Sequence, residues 1–155
     1  MGAYQLIKSQ KLPVSREELW EFISSPLNLK EITPENFGFV VTRNSGAGKM
    51  YPGMIITYKV KPLLGIPLNW MTEITHVKEP EFFVDEQRLG PFSMWHHQHK
   101  LESIEGGVLM TDIVSYRPPM GFIGTLANWL LIKKQLEQVF AYRNSALENR
   151  FGIFK

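Results

Sequence analysis

The 155-residue chain is 44% hydrophobic and 21% charged, with a net charge of +2, a balance that lets one globular domain bury a sizeable core. Its 17 basic residues form no block and do not interleave with the aromatics, which excludes a basic groove or stacking platform for nucleic acid. The absence of cysteine excludes disulfides, thiolate zinc sites and cysteine nucleophiles together.

The first residues, "MGAYQLIKSQKLP", lack the uninterrupted apolar run of a signal peptide. Leu6 stands where a myristoylation motif needs Ser or Thr. The longest apolar cluster, "GFIGTLANWLLI", is too short and interrupted to span a bilayer. The expectation is a cytoplasmic protein with no membrane span. With no repeat, low-complexity stretch or linker, residues 1–155 read as one domain.

In chain order, Ala3–Leu12 alternates as a first strand. "PVSREELWEFISSP" predicts a helix, with Ser15 as cap, Glu18 completing a capping box and Leu19, Phe22 and Ile23 on one face. Pro26 ends it. "LNLKEITP" predicts a second short helix. "FGFVVTR" is a strand and "NSGAGKMYPG" a turn cluster; Met50 after Lys49 breaks the phosphate-loop pattern. Five further strand segments follow: "MIITYKVKP", "LNWMTEITHVKEP", "EFFVDEQRLGP", "FSMWHHQHKLE" and "VLMTDIVSYRPP". Short turns join them, which implies an antiparallel meander.

The remainder is helical. Trp129, Ile132, Leu136, Val139, Phe140, Leu147 and Phe151 make one apolar stripe. Arg143 falls on the same side and needs an edge or an anionic partner. The stripe must lie on the sheet. A sheet that curves around the helix leaves room for a ligand between them.

Three of the four histidines lie in "GPFSMWHHQHKLE". Strand residues alternate between faces. Trp95 and Leu101 mark the inward face, so His97 and His99 point inward and His96 outward. A turn centred in "SIEGG" would set Leu101 opposite Val108, His99 opposite Met110 and His97 opposite Asp112. Across the "LGPF" turn, Asp85 would also oppose His97. The expectation is an inward row of Asp85, His97 and Asp112, with Gln87, His99, Tyr116 and Arg143 nearby.

Several readings of this row stand side by side. It can be a satisfied polar network that fixes strand register. It can orient a ligand head between apolar walls from Trp70, Trp95, Trp129 and Phe140. It can be an acid–base pair, with His97 or His99 oriented by Asp85 or Asp112. His97, His99 and an aspartate can also share a metal. No recognised metal motif is complete, so no metal or cofactor is expected. The absence of G-x-S-x-G argues against serine catalysis.

The stretches "PLNWMTEI", "FFVDEQRLGPFSMWHHQHKLE", "GGVLMTDIVSYRPPMG" and "KKQLEQVFAYRNSALENRF" resemble a bacterial ligand-binding subgroup of the START-like (SRPBCC) helix-grip superfamily. The subgroup pattern F-x-D-x-Q-x-x-G-P-x-x-x-W-x-H-x-H falls on Phe83, Asp85, Gln87, Gly90, Pro91, Trp95, His97 and His99. D-x-V-x-Y falls on Asp112, Val114 and Tyr116. The helix pattern falls on Lys134, Gln135, Leu136, Phe140, Tyr142 and Arg143. The resemblance runs from Tyr4 to Phe151.

It implies an α+β helix-grip fold: a curved antiparallel sheet, two short helices and a long C-terminal helix. The function expected is binding of a small hydrophobic or aromatic molecule between sheet and helix. Trp70, Phe83, Gln87, Trp95, His99, Tyr116, Trp129, Phe140 and Arg143 are the candidate binding residues. One alternative is an aromatase/cyclase- or dehydratase-like enzyme, in line with the polyketide cyclase/dehydrase label such proteins often carry, using His97, Asp112 and Asp85. Another is a non-catalytic regulatory or interaction module.

Overall fold

Ser15 caps the first helix as its sequence predicts: its hydroxyl accepts from the Glu18 amide at 3.2 Å, a bond worth about 1 kcal/mol. The computed structural model describes residues 3–44, 48–61, 66–119 and 131–155. In order these form β1 (Tyr4–Leu12), α1 (Arg16–Ile23), β2 (Val40–Asn44), β3 (Ile55–Val60), β4 (Leu68–Lys78), β5 (Phe82–Leu89), β6 (Met94–Ile104), β7 (Gly107–Arg117) and α2 (Lys133–Phe151). The second predicted helix is a 3₁₀ turn, Pro26–Lys30, and another covers Glu35–Phe37. Among the described residues, no helix is long and apolar enough to cross a membrane.

Seven strands form one antiparallel sheet in the order β1-β7-β6-β5-β4-β3-β2. The meander places consecutive strands side by side, and β1 returns to pair with β7. Irregularities in the β4–β5 ladder at Met71/Thr72 and Ile74/His76 bend the sheet, because an unpaired residue sharpens local twist. The curved sheet, α1 with the 3₁₀ turns after it, and the long C-terminal α2 make an α+β helix-grip fold.

The faces follow the predicted alternation. On β7, Val108, Met110, Asp112, Val114 and Tyr116 are buried while their neighbours are not. On β6, His97, His99 and Leu101 are buried. On α2, Phe140, Arg143 and Leu147 are the buried residues, three to four positions apart as one helical face requires.

The β6–β7 register differs from the expectation by two residues. Leu101 pairs with Met110, His99 with Asp112 and His97 with Val114. The cause is the turn: Ile104 pairs with Gly107, so only Glu105 and Gly106 loop. Gly106 takes φ 78°, a conformation open to glycine, and pulls the turn one position later. A two-residue shift keeps every side chain on its face. The Asp85–His97 pairing stands as expected.

Two apolar clusters fill the interior. One gathers Leu12, Leu19, Trp20, Ile74, Phe83, Leu101, Val108, Met110 and Leu147. The other gathers Val114, Tyr116, Ile132 and Phe140, with Trp95 and Leu136 packed against it. Along β6, β7 and α2 alike, the residues between the clusters are polar: His97 and His99, Asp112, and Arg143. A polar belt thus crosses the middle of the core.

Candidate functional site

The belt is built from four elements. β5 supplies Asp85, β6 supplies His97 and His99, β7 supplies Asp112 and α2 supplies Arg143. Asp112 Oδ1 is the hub. His97 Nε2 lies 2.9 Å from it, His99 Nδ1 2.9 Å and Arg143 Nη1 3.4 Å. Asp85 Oδ2 takes the other ring nitrogens, with His99 Nε2 at 2.8 Å and His97 Nδ1 at 3.5 Å. His97, His99, Asp112 and Arg143 are all buried.

The two rings lie side by side, their centroids 3.7 Å apart. Phe83 stacks beneath His99 at 4.0 Å and Phe140 meets His97 edge-on at 5.8 Å. These apolar rings fix the imidazole planes. His96 points away and meets Glu86 at 2.9 Å, outside the belt.

Protonation follows from the contacts. Both nitrogens of His99 face carboxylates within 2.9 Å, and a lone pair so close to a carboxylate oxygen would be repelled. Burial opposes charge on His99, but the hydrogen bonds to Asp112 and Asp85 outweigh it and raise its pKa. The 3.4 Å approach of Arg143 Nη2 to His99 Nδ1 is then two donors converging on Asp112. Burial, then the neighbouring His99 charge, lower the pKa of His97 below the usual histidine range. Burial also works against both carboxylates. The neighbouring His97 and the His99 bond still lower Asp85. Arg143 and both histidines hold Asp112 well below its ordinary value. The balanced state is two carboxylates, one imidazolium, one guanidinium and a neutral His97, with no net charge.

A cavity of about 380 Å³ opens on this belt, between the sheet and α2. Of the expected binding residues, Trp70, Phe83, Trp95, His99, Phe140 and Arg143 line it, as do His97 and Asp85. Asp112 does not; it sits behind the histidines. Gln87 is not in the wall either. It clamps the β5–β6 turn, donating to the Phe92 carbonyl at 2.6 Å and accepting from the Phe92 amide at 3.2 Å. Tyr116 is buried in the second cluster against Tyr4 and Phe92 and is not part of the lining. Trp129 lies outside the described residues.

Tyr58 and Thr72 also line the wall and were not expected there. Their hydroxyls meet at 2.6 Å, and Tyr58 stacks on Trp70 at 6.0 Å. Burial and the charge of Asp85 push the Tyr58 phenol well up. The alternation Ile56, Tyr58, Val60 opposite exposed Lys59 is the signal that marks this face. Among the described residues, several buried side-chain donors have no hydrogen-bond partner, Trp70 Nε1 and Arg143 Nε among them. These two belong to lining residues.

No family model and no curated protein matches this chain. Solved structures do. A START superfamily protein from Mycobacterium smegmatis aligns with a TM-score of 0.71 at 15% identity, covering 97% of each chain. TTHA0849 from Thermus thermophilus aligns at 0.70 and 13% identity, over 96% of this chain and 97% of that one. Ara h 8.0201 aligns at 0.65 and 15% identity, over 97% and 98%. At such identities the likeness is one of architecture: the chain has the helix-grip fold of START-like proteins.

Proposed function

We propose that the protein binds a small, largely apolar molecule in the cavity between the sheet and α2. The observation that carries this reading is the cavity itself: about 380 Å³, walled by Trp70, Phe83, Trp95 and Phe140 with a polar belt on one side. Many apolar walls with a few fixed polar groups are the usual makeup of a ligand site. The START-like architecture supports the same reading. The unpartnered Trp70 Nε1 and Arg143 Nε favour a ligand that brings hydrogen-bond acceptors to them, since buried donors left unmet are costly.

The test is a titration with the uncharged dye N-phenyl-1-naphthylamine. Saturable one-to-one binding with a blue-shifted emission is expected, together with quenching of indole fluorescence, because Trp70 and Trp95 line the wall. A dye signal that never saturates, with unchanged indole emission, rules the reading out. Native mass spectrometry of protein from its own host then identifies the bound mass.

A further inference from the structure

The two histidines present their nitrogens in an ordered way. Each turns one nitrogen to Asp112 Oδ1, His97 through Nε2 and His99 through Nδ1, both at 2.9 Å. Each turns the other to Asp85 Oδ2, at 3.5 Å for His97 Nδ1 and 2.8 Å for His99 Nε2. One donor atom from each of Asp85, His97 and His99 lies within 4.8 Å of the others. We propose that these three atoms, Asp85 Oδ2, His97 Nδ1 and His99 Nε2, form a binding site for a divalent transition-metal ion.

Three observations carry it. The first is spacing. An ion bound at about 2.0–2.2 Å to nitrogen and oxygen holds neighbouring ligand atoms about 3.0–3.5 Å apart, and the two oxygen-to-nitrogen distances here bracket that range. The second is the arrangement behind the ligands. Histidines that bind metal usually give their other N–H to a carboxylate, which fixes the ring and strengthens the ligand. Asp112 is hydrogen-bonded to His97 Nε2 and lies 2.9 Å from His99 Nδ1, and Arg143 beside it offsets part of its charge. The third is access. Asp85, His97 and His99 all line the cavity, while Asp112 does not. The remaining coordination positions of the ion therefore face the space where a small molecule would sit.

Two imidazoles and one carboxylate suit zinc, iron, cobalt or nickel better than calcium or magnesium. The ion takes the place of the proton shared between His99 and Asp85. It also occupies the lone pair that would make His97 a base, so chemistry at this site would run through the ion and its open positions. The proposal goes beyond the ligand-binding reading and stands or falls separately from it.

The experiment is calorimetric titration of chelator-stripped protein with Zn²⁺, and with Co²⁺ followed by visible absorption. Expected is one-to-one binding with a micromolar or tighter Kd and Co²⁺ bands in the visible. Asp85→Asn, close in shape to the parent residue, should weaken binding at least 10-fold. Asp112→Asn should weaken it about 10- to 100-fold through the rings it orients. His96→Gln, outside the belt, should leave it unchanged. Failure of the parent protein to bind either ion stoichiometrically overturns the proposal, whatever the variants do. So does binding that Asp85→Asn weakens less than 10-fold, or that His96→Gln abolishes. The dye titration reports on the cavity independently of the ion.

Discussion

Asp112→Asn tests how much the polar belt holds the core together. In the native protein one oxygen, Asp112 Oδ1, faces His97, His99 and Arg143 at 2.9, 2.9 and 3.4 Å. The amide keeps the shape but removes the charge. The imidazolium of His99 then keeps only Asp85, and the buried guanidinium of Arg143 loses the carboxylate it meets. Removing one partner from a buried charged set costs about 3–5 kcal/mol. For a domain of this size each kcal/mol moves Tm by about 2–4 °C, so Tm should fall by roughly 10 °C. Urea unfolding of the metal-free protein should show a lower midpoint at an unchanged slope. In the Asp112→Asn background, Arg143→Leu should cost less than it does in the parent, with a coupling of about 0.5–3 kcal/mol. An Asp112→Asn protein within about 1 kcal/mol of the parent, or strict additivity with Arg143→Leu, would refute the account of Asp112 as the hub.

Tyr58→Phe should destabilise by about 1 kcal/mol, because the buried Thr72 hydroxyl loses its 2.6 Å partner; urea unfolding measures it. The raised phenol pKa of Tyr58 has a sign consequence: its contribution is complete below the unfolded value of about 10 and is lost as pH rises beyond it. Of the 5 tyrosines, Tyr58 should stay un-ionised in an alkaline absorbance titration until the protein unfolds. Gly107→Ala places a Cβ 2.0 Å from the Leu12 carbonyl oxygen; the β1–β7 ladder must shift, costing about 1–3 kcal/mol, read as faster amide exchange along β1. Gln87→Ala frees the Phe92 amide and carbonyl and should speed exchange at the Phe92 amide while leaving β7 protected.

The faces of the strands were legible because alternation needs no knowledge of the turn. Trp95 and Leu101 on one side, Lys100 and Glu102 on the other, were enough to turn His97 and His99 inward. The register depended on a choice that composition leaves open: which residues of "SIEGG" loop out. The loop proved to be Glu105–Gly106, so Asp112 moved opposite His99, while its parity and its contact with His97 both survived. Gln87 and Tyr116 illustrate a different limit. They share the inward parity of the belt, but parity says nothing about position along a strand. Gln87 sits where β5 meets a tight turn, and its amide meets the Phe92 backbone. Tyr116 reaches past the belt into the second apolar cluster. Arg143 was legible as a misfit in an apolar stripe, and the structure supplies its anion.

The β1–β7 pairing also bears on the order in which the molecule can assemble. Asp85, His97, His99 and Asp112 belong to two consecutive hairpins, and their ladders close through short turns. Tyr4, by contrast, pairs with Tyr116, across nearly the whole sheet-forming part of the chain. Loop-closure entropy grows with the logarithm of length, about 0.6 kcal/mol per doubling, and such distant pairings slow folding. The carboxylates and imidazoles can therefore meet while the chain is still open at its N-terminal edge. Docking of β1 is the step that carries the largest closure cost, and the side chains of the belt do not depend on it.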